Sequence, residues 1–154
     1  LEPDDVFVFE LVASGPLGYW CEQAALFSFG PLPDPQAAQL EAHTEVIRRA
    51  AAAAIPGTPI GALAGVVSAA WRDLGWQPEA KHTPDCHSIG LDNVDGPSSE
   101  GTPDALLAAD MVLSFHPSTM VSGGKAFLLS DNYQVTPGGA VRLSPRGWHY
   151  RRLG

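Results

Sequence analysis

The chain has 154 residues, enough for one domain that buries about two thirds of the surface its unfolded form exposes. Its formal net charge of -8 excludes the clustered Lys and Arg that a nucleic-acid groove or an anionic membrane surface requires. No apolar run approaches the roughly twenty residues that span a bilayer, and two distant cysteines, Cys21 and Cys86, provide neither a disulfide framework nor a zinc ribbon. A soluble, cytoplasmic protein with a small-molecule partner is expected.

Leu1 is the first residue, with neither an initiator Met nor a basic leader, which points to a fragment or to one chain of a split protein. Val6 to Val12 is rich in β-branched and aromatic residues, and Ser14-Gly15-Pro16 separates it from a second such run, Tyr19 to Phe29. That pattern predicts a hairpin. Asp34-Pro35 is an N-cap and first-turn pair, and the Ala-rich stretch behind it runs to Ile55 before Pro56-Gly57 stops it, which predicts a helix. Thr58-Pro59 repeats the start signal. The second predicted helix ends near Gly75, with Leu63, Val66, Val67, Ala70 and Trp71 on one face. Strand sequence returns at Ser88 to Leu91, Met111 to Phe115, Ala126 to Leu129, Tyr133 to Val135 and Val141 to Leu143. Strands and helices in separate blocks predict an α+β fold, a curved and mainly antiparallel sheet with two helices on one face.

Two stretches carry the chemistry. Residues 86–97 read Cys-His-Ser-Ile-Gly-Leu-Asp-Asn-Val-Asp-Gly-Pro, and residues 111–117 read Met-Val-Leu-Ser-Phe-His-Pro. They resemble the signature strands of the pita-bread hydrolases, the family of methionine aminopeptidase, prolidase, Xaa-Pro aminopeptidase and creatinase. Those strands read roughly G-H-G-I-G-L-x-x-H-E-x-P and G-M-V-x-x-x-E-P. The resemblance implies the C-terminal half of a pita-bread domain over residues 1–154. The N-terminal half would then be absent, or supplied by a homodimer partner or another chain.

In that family two Asp, one His and two Glu hold a pair of metal ions. The resemblance puts the His at His87, the first Glu at His116 ahead of Pro117, and the last Glu at Ser130 ahead of Asp131. The second Asp of a G-Y-x-x-D segment falls on Glu22 behind Gly18-Tyr19, and the nearest acidic residue to the first Asp is Glu10, one residue out of register. The substrate-contacting His of the H-E-x-P element falls on Val94, with Asp95 in place of its Glu. With a hydroxyl at Ser130 where a bridging carboxylate belongs, a two-metal cluster is not expected. Glu22, His87 and His116 remain as ligands for at most one divalent ion, and two imidazoles with one carboxylate suit Zn as well as Fe or Mn.

Glu10, Asp95 and Asp131 are candidates for acid-base catalysis, and Tyr19 and Ser130 for substrate contact. Cys21 and Cys86 precede ligand positions and are expected to lie on the opposite sheet face as buried small hydrophobes. His43 falls on a predicted polar helix surface, His82 in a loop, and His149 has no visible partner. The resemblance thus implies a diverged hydrolase of small amide, amino-acid or peptide-like substrates, metal-free if the ligands have decayed. The alternatives are a mononuclear non-haem iron enzyme and a pseudoenzyme that binds a ligand or a protein.

Overall fold

A hairpin opens the chain in the computed structural model, which describes residues 2, 5–76, 85–117, 119–121, 125–145 and 149–154. Strands β1 (Val6–Ser14) and β2 (Trp20–Ser28) pair antiparallel from Val6 opposite Ser28 to Ser14 opposite Trp20. Gly18, at φ +83°, takes the left-handed turn position that a side chain would resist.

Helices α1 (Asp34–Ala53) and α2 (Ile60–Asp73) follow. Asp34 lies inside the first turn of α1, whereas the sequence places it at the cap. Pro33 occupies the cap because its carbonyl already accepts from the Ala37 N–H, at 2.9 Å. In α2, likewise, Pro59 is the cap, and the Thr58 hydroxyl instead donates back to the Ala53 carbonyl at 3.3 Å. The expected stop holds: Gly75, at φ +76°, follows the last turn as a left-handed C-terminal glycine should.

The second half is strand. β3 (Cys86–Ser88), β4 (Val112–Phe115), β7 (Asp131–Gln134) and β8 (Val141–Arg142) form an antiparallel sheet in that order. Between β4 and β7, β5 (Thr119–Val121) and β6 (Lys125–Phe127) make a separate ladder. The last strand, β9 (Tyr150–Arg152), joins β2 in parallel. Backbone pairing between Ala24 and Ser130 links the two larger sheets. The architecture is the α+β arrangement expected, with a mainly antiparallel set of strands.

Side-chain alternation explains how the helices are held. In the four-stranded sheet, Cys86 lies opposite Phe115, and Leu113 opposite Tyr133, so all four share a face. That face joins Ile47 and Val46 of α1 and Leu63, Val67 and Trp71 of α2 in one buried apolar cluster. Each large aliphatic or aromatic side chain so buried contributes about 1.5–3 kcal/mol.

The loop before β4 runs beside the start of α2. The Gly61 N–H donates to the Pro103 carbonyl at 2.9 Å, and a Cβ on Gly61 would meet the Pro103 Cβ at 2.5 Å. A Cβ on Gly65, one turn on, would meet nothing within 4 Å. Gly65→Ala should therefore stabilise the protein by roughly 0.5–1 kcal/mol through helix propensity. Gly61→Ala should destabilise it by about 1–3 kcal/mol, because overpacking outweighs the same propensity gain. Urea-unfolding midpoints of the two variants check both signs.

Candidate metal centre

Three elements bring three polar side chains to one place. Glu22 comes from β2, His87 from the middle of β3, and His116 from the residue after β4. His87 lies opposite Ser114, and Ser114 opposite Asn132, so these side chains project from the sheet face away from the helices. The His116 N–H donates to the Asp85 carbonyl at 3.0 Å. That bond extends the β3–β4 ladder by one residue and keeps His116 on the face of Ser114.

The resulting cluster is tight. Glu22 Oε2 lies 3.2 Å from His87 Nε2, Glu22 Oε1 lies 3.8 Å from His116 Nε2, and the two imidazole centres are 4.8 Å apart. One ligand atom from each residue falls within 4.8 Å of the others, and all three residues are buried. Each is also oriented from behind. His87 Nδ1 donates to the Ser88 carbonyl at 2.9 Å, while the Glu22 N–H donates to Asn132 Oδ1 at 3.1 Å. His43, from α1, donates through Nε2 to the Pro117 carbonyl beside His116.

The Ser88 bond decides the chemistry of the cluster. With its proton on Nδ1, a neutral His87 turns the lone pair of Nε2 toward a carboxylate oxygen, and two acceptors at 3.2 Å require a proton or a cation between them. Without a metal, the proton fills that role. Burial lowers the His87 pKa, but the hydrogen bond to Glu22 and the bond to Ser88 outweigh it, and the net shift is upward. For Glu22 burial acts upward, yet the His87 hydrogen bond and the two imidazole charges hold the carboxyl below its ordinary value. His116, buried and beside a charged His87, drops to about 4 despite the pull of Glu22. A neutral imidazole, a carboxylate and an imidazole with its lone pair directed inward form a fitting donor set for one divalent cation.

The other predicted residues fall in different places. Ser130 is fully buried, paired through backbone with Ala24 and two residues from Asn132, on the face of the ligands. Glu10 lies opposite Ala24 and therefore on the hairpin face of Glu22; partial burial and the Glu22 charge raise its pKa. Tyr19 is exposed and lines a depression of about 400 Å³ together with Trp20, Ile89, Asn132 and Leu143. Asp95 is exposed in the loop after β3, where its carboxylate accepts from the Leu91 N–H at 3.2 Å.

Asp131 is not brought to the three ligands. It lies opposite Phe115 on the helix-facing side of the sheet. There it is fully buried and bonded to Arg142, to the Ser144 hydroxyl at 2.6 Å and to His149 Nε2 at 3.3 Å. Burial pushes its pKa up, but His149, Ser144 and Arg142 together hold the carboxyl low.

Three sequence readings are corrected. His149 has a partner, Asp131, which pairing between distant strands concealed. His43 is buried, with its ring edge-on to Trp71 at 4.8 Å. Its position was recoverable, because Gln39, Ala42, His43, Val46, Ile47 and Ala50 recur at helical spacing along the buried face of α1. Cys86 is buried as expected but Cys21 is exposed, because it lines the open depression with Tyr19 and Trp20. His82 lies outside the described residues.

The sequence model of metallopeptidase family M24 matches residues 1–143. The chain belongs to this family. Its fold is similar to that of a dipeptidase, PepE, from Mycobacterium ulcerans, with TM-score 0.86 and 23% identity over 99% of this chain and 41% of that one. An X-Pro aminopeptidase from Thermotoga maritima MSB8 gives 0.84 and 22% over 98% and 43%. A prolidase from Pyrococcus horikoshii OT3 gives 0.82 and 20% over 96% and 43%. The chain therefore spans about two fifths of the length of these solved relatives. No curated protein matches it. Among the described residues no helix is long and apolar enough to cross a membrane.

Burial fixes a pH dependence. His43 is held down to about 4, mainly by burial, whereas in the unfolded chain it titrates near 6.5. The unfolded state therefore binds more protons between these values, and stability falls as pH falls from 6.5 toward 4. The loss from His43 alone is on the order of 3 kcal/mol at pH 4, and His116 adds to it. His87 acts oppositely: its raised pKa contributes stability that is fully present below 6.5 and is lost as pH rises through its folded value. Urea midpoints of the metal-free protein at pH 7, 5.5 and 4.5 should fall steeply, and His43→Gln should flatten the slope. A midpoint independent of pH would show the burial argument wrong.

Proposed function

We propose that the chain forms the metal-binding part of a diverged hydrolase, related to creatinase and the Xaa-Pro peptidases, that acts on small amide, amino-acid or peptide-like substrates. A single divalent ion, Zn, Fe or Mn, is held by Glu22, His87 and His116. The convergence of these three buried side chains within 4.8 Å carries the reading. A bound divalent ion supplies Lewis acidity, which polarises a carbonyl and eases deprotonation of water. His87, locked in one tautomer by Ser88, would present Nε2 to the ion, and Asn132 holds the strand that carries Glu22 through its backbone N–H. With Glu22, His87 and His116 as its protein ligands, such an ion would be able to take substrate as well.

Proton transfer is assigned to Glu10. Glu10 lies on the Glu22 face of the hairpin, and partial burial with the Glu22 charge raises its pKa, the direction that favours a carboxyl able to donate. Tyr19 contributes an aromatic wall where the depression opens to solvent, and Ser130 contacts substrate beside the metal. Asp131, committed to Arg142, Ser144 and His149, serves as a structural anchor in this reading, and Asp95 shapes the loop after β3. The rest of the pocket comes from polypeptide outside these residues, in the same chain, in a second copy or in another partner. A second reading has one observation in its favour: two histidines and one carboxylate are also the facial set that holds Fe(II) for oxygen chemistry.

Calorimetric titration with zinc, and with ferrous iron under anaerobic conditions, tests the reading. One equivalent should bind, and at a hundredfold excess over Kd it should stabilise the fold by about 2.7 kcal/mol. Affinity should weaken as pH falls through the histidine range, since protonated imidazole does not ligate. His87→Ala and His116→Ala should each abolish binding, while Cys21→Ala should leave it intact. Zinc-dependent cleavage of an Xaa-Pro dipeptide supports the hydrolase; iron binding with dioxygen consumption favours the second reading. A wild type that binds no metal overturns both and leaves a pseudoenzyme or a metal-free hydrolase.

A further inference from the structure

Beside the three ligands lies a second group of polar atoms that the metal does not use. Ser114 Oγ, Ser130 Oγ and Asn132 Nδ2 are each buried and have no hydrogen-bond partner among the described residues. Ser114 and Ser130 are wholly inaccessible and Asn132 is 5% exposed. The Asn132 amide is oriented by the Glu22 N–H, which occupies Oδ1 and leaves the NH₂ as the free end. All three project from the sheet face of His87, by strand pairing and alternation. Ser114 and Asn132 are direct cross-strand neighbours, with Cβ atoms about 5 Å apart, and Ser130 lies two residues from Asn132, about 7 Å along the strand.

We infer that Ser114, Ser130 and Asn132 form a cradle of uncharged hydrogen-bond donors that receives the oxygens of a carboxylate or of a comparable small oxyanion, next to Glu22, His87 and His116. This inference rests on the metal reading above and names the part of the ligand that reading leaves open. Two arguments select an anion. Each of the three groups offers a proton, and the nearest carboxylate, that of Glu22, is engaged by His87 and His116. A divalent ion held by one carboxylate and two neutral imidazoles also keeps a net positive charge, which a monoanion neutralises. The family resemblance puts a carboxylate at the Ser130 position; a hydroxyl there can donate to an oxygen acceptor, which an ionised carboxylate cannot.

Acetate titrated into the cobalt(II)-loaded protein, followed by the visible absorption of the metal, tests the cradle. Ser114→Ala and Ser130→Ala should each weaken acetate binding by about tenfold, the effect of one lost hydrogen bond to a charged group. Their cobalt affinity should be unchanged. Their metal-free melting temperatures should not fall, because alanine removes a buried hydroxyl that has no protein partner. Equal acetate affinity in wild type and both variants, as when the hydroxyls only hold water, overturns the cradle and leaves the metal reading intact. No acetate response in wild type does the same. Failure of wild type to take up cobalt removes the metal reading and this inference together. A marked fall in melting temperature shows that the hydroxyl already has a protein partner and also overturns it.

Discussion

The 3.2 Å approach of Glu22 to His87 Nε2 governs this structure, because the Ser88 carbonyl has already taken the proton of the other ring nitrogen. Two buried lone pairs do not face one another without a positive charge between them. A proton meets that need at the expense of charging an imidazole in the interior, and a metal ion meets it while also engaging His116. Everything around the pair limits its freedom to escape. Asn132 fixes the strand carrying Glu22, the β3–β4 ladder fixes His87, and His43 on α1 fixes the peptide after His116. The site is rigid because three secondary-structure elements converge on it, and burial in turn keeps water from screening the charges.

Alternation in short strands separates two charged centres by the thickness of a sheet. Neighbouring residues Ser130, Asp131 and Asn132 point alternately to the ligand face, the helix face and the ligand face. Asp131 therefore meets Arg142 and His149, whereas Asn132 meets Glu22. A buried carboxylate left unpaired costs several kcal/mol or takes up a proton, so Glu22 and Asp131 are each provided with their own partners, His87 for one and Arg142 with His149 for the other. This segregation explains why an acidic residue next to a predicted ligand position does not join the ligands.

Much of the arrangement was legible because it rests on local rules. The hairpin, both helices and their stop signals, and the strands around Leu113, Ala126 and Tyr133 follow from period, turn residues and β-branched content. The β-strand near His87 was misplaced by about two residues, from 88–91 to Cys86–Ser88, because Gly90 and the polar residues after it carry a turn held by Asp95. β5 and β9 were missed. β9 reads Tyr-Arg-Arg and has no apolar alternation; its place comes from a parallel ladder with Leu26 to Ser28, which is a distant relation that no local window contains. The meeting of Glu22, His87 and His116 was legible through the family resemblance, while Ser114 and Asn132 were not, since an ordinary strand hydroxyl or amide acquires meaning only from what lies across the ladder.

Stability argues on the same side as chemistry. One patch buries Glu22, His87, His116, Ser114, Ser130 and Asn132, beside a core cluster of Leu, Ile, Val, Ala and aromatic side chains. Each buried hydroxyl or amide without a partner costs about 1–3 kcal/mol, and well-packed apolar residues in place of a buried ion pair are often neutral or stabilising. A domain held only to the requirement of folding gains by converting such a patch to hydrocarbon. A reading in which these residues are remnants of a dead site has to account for six polar side chains kept buried in one patch, three of them within 4.8 Å of one another. A cation and an oxygen ligand bound there satisfy the imidazole lone pairs, the carboxylate and the three donors at once.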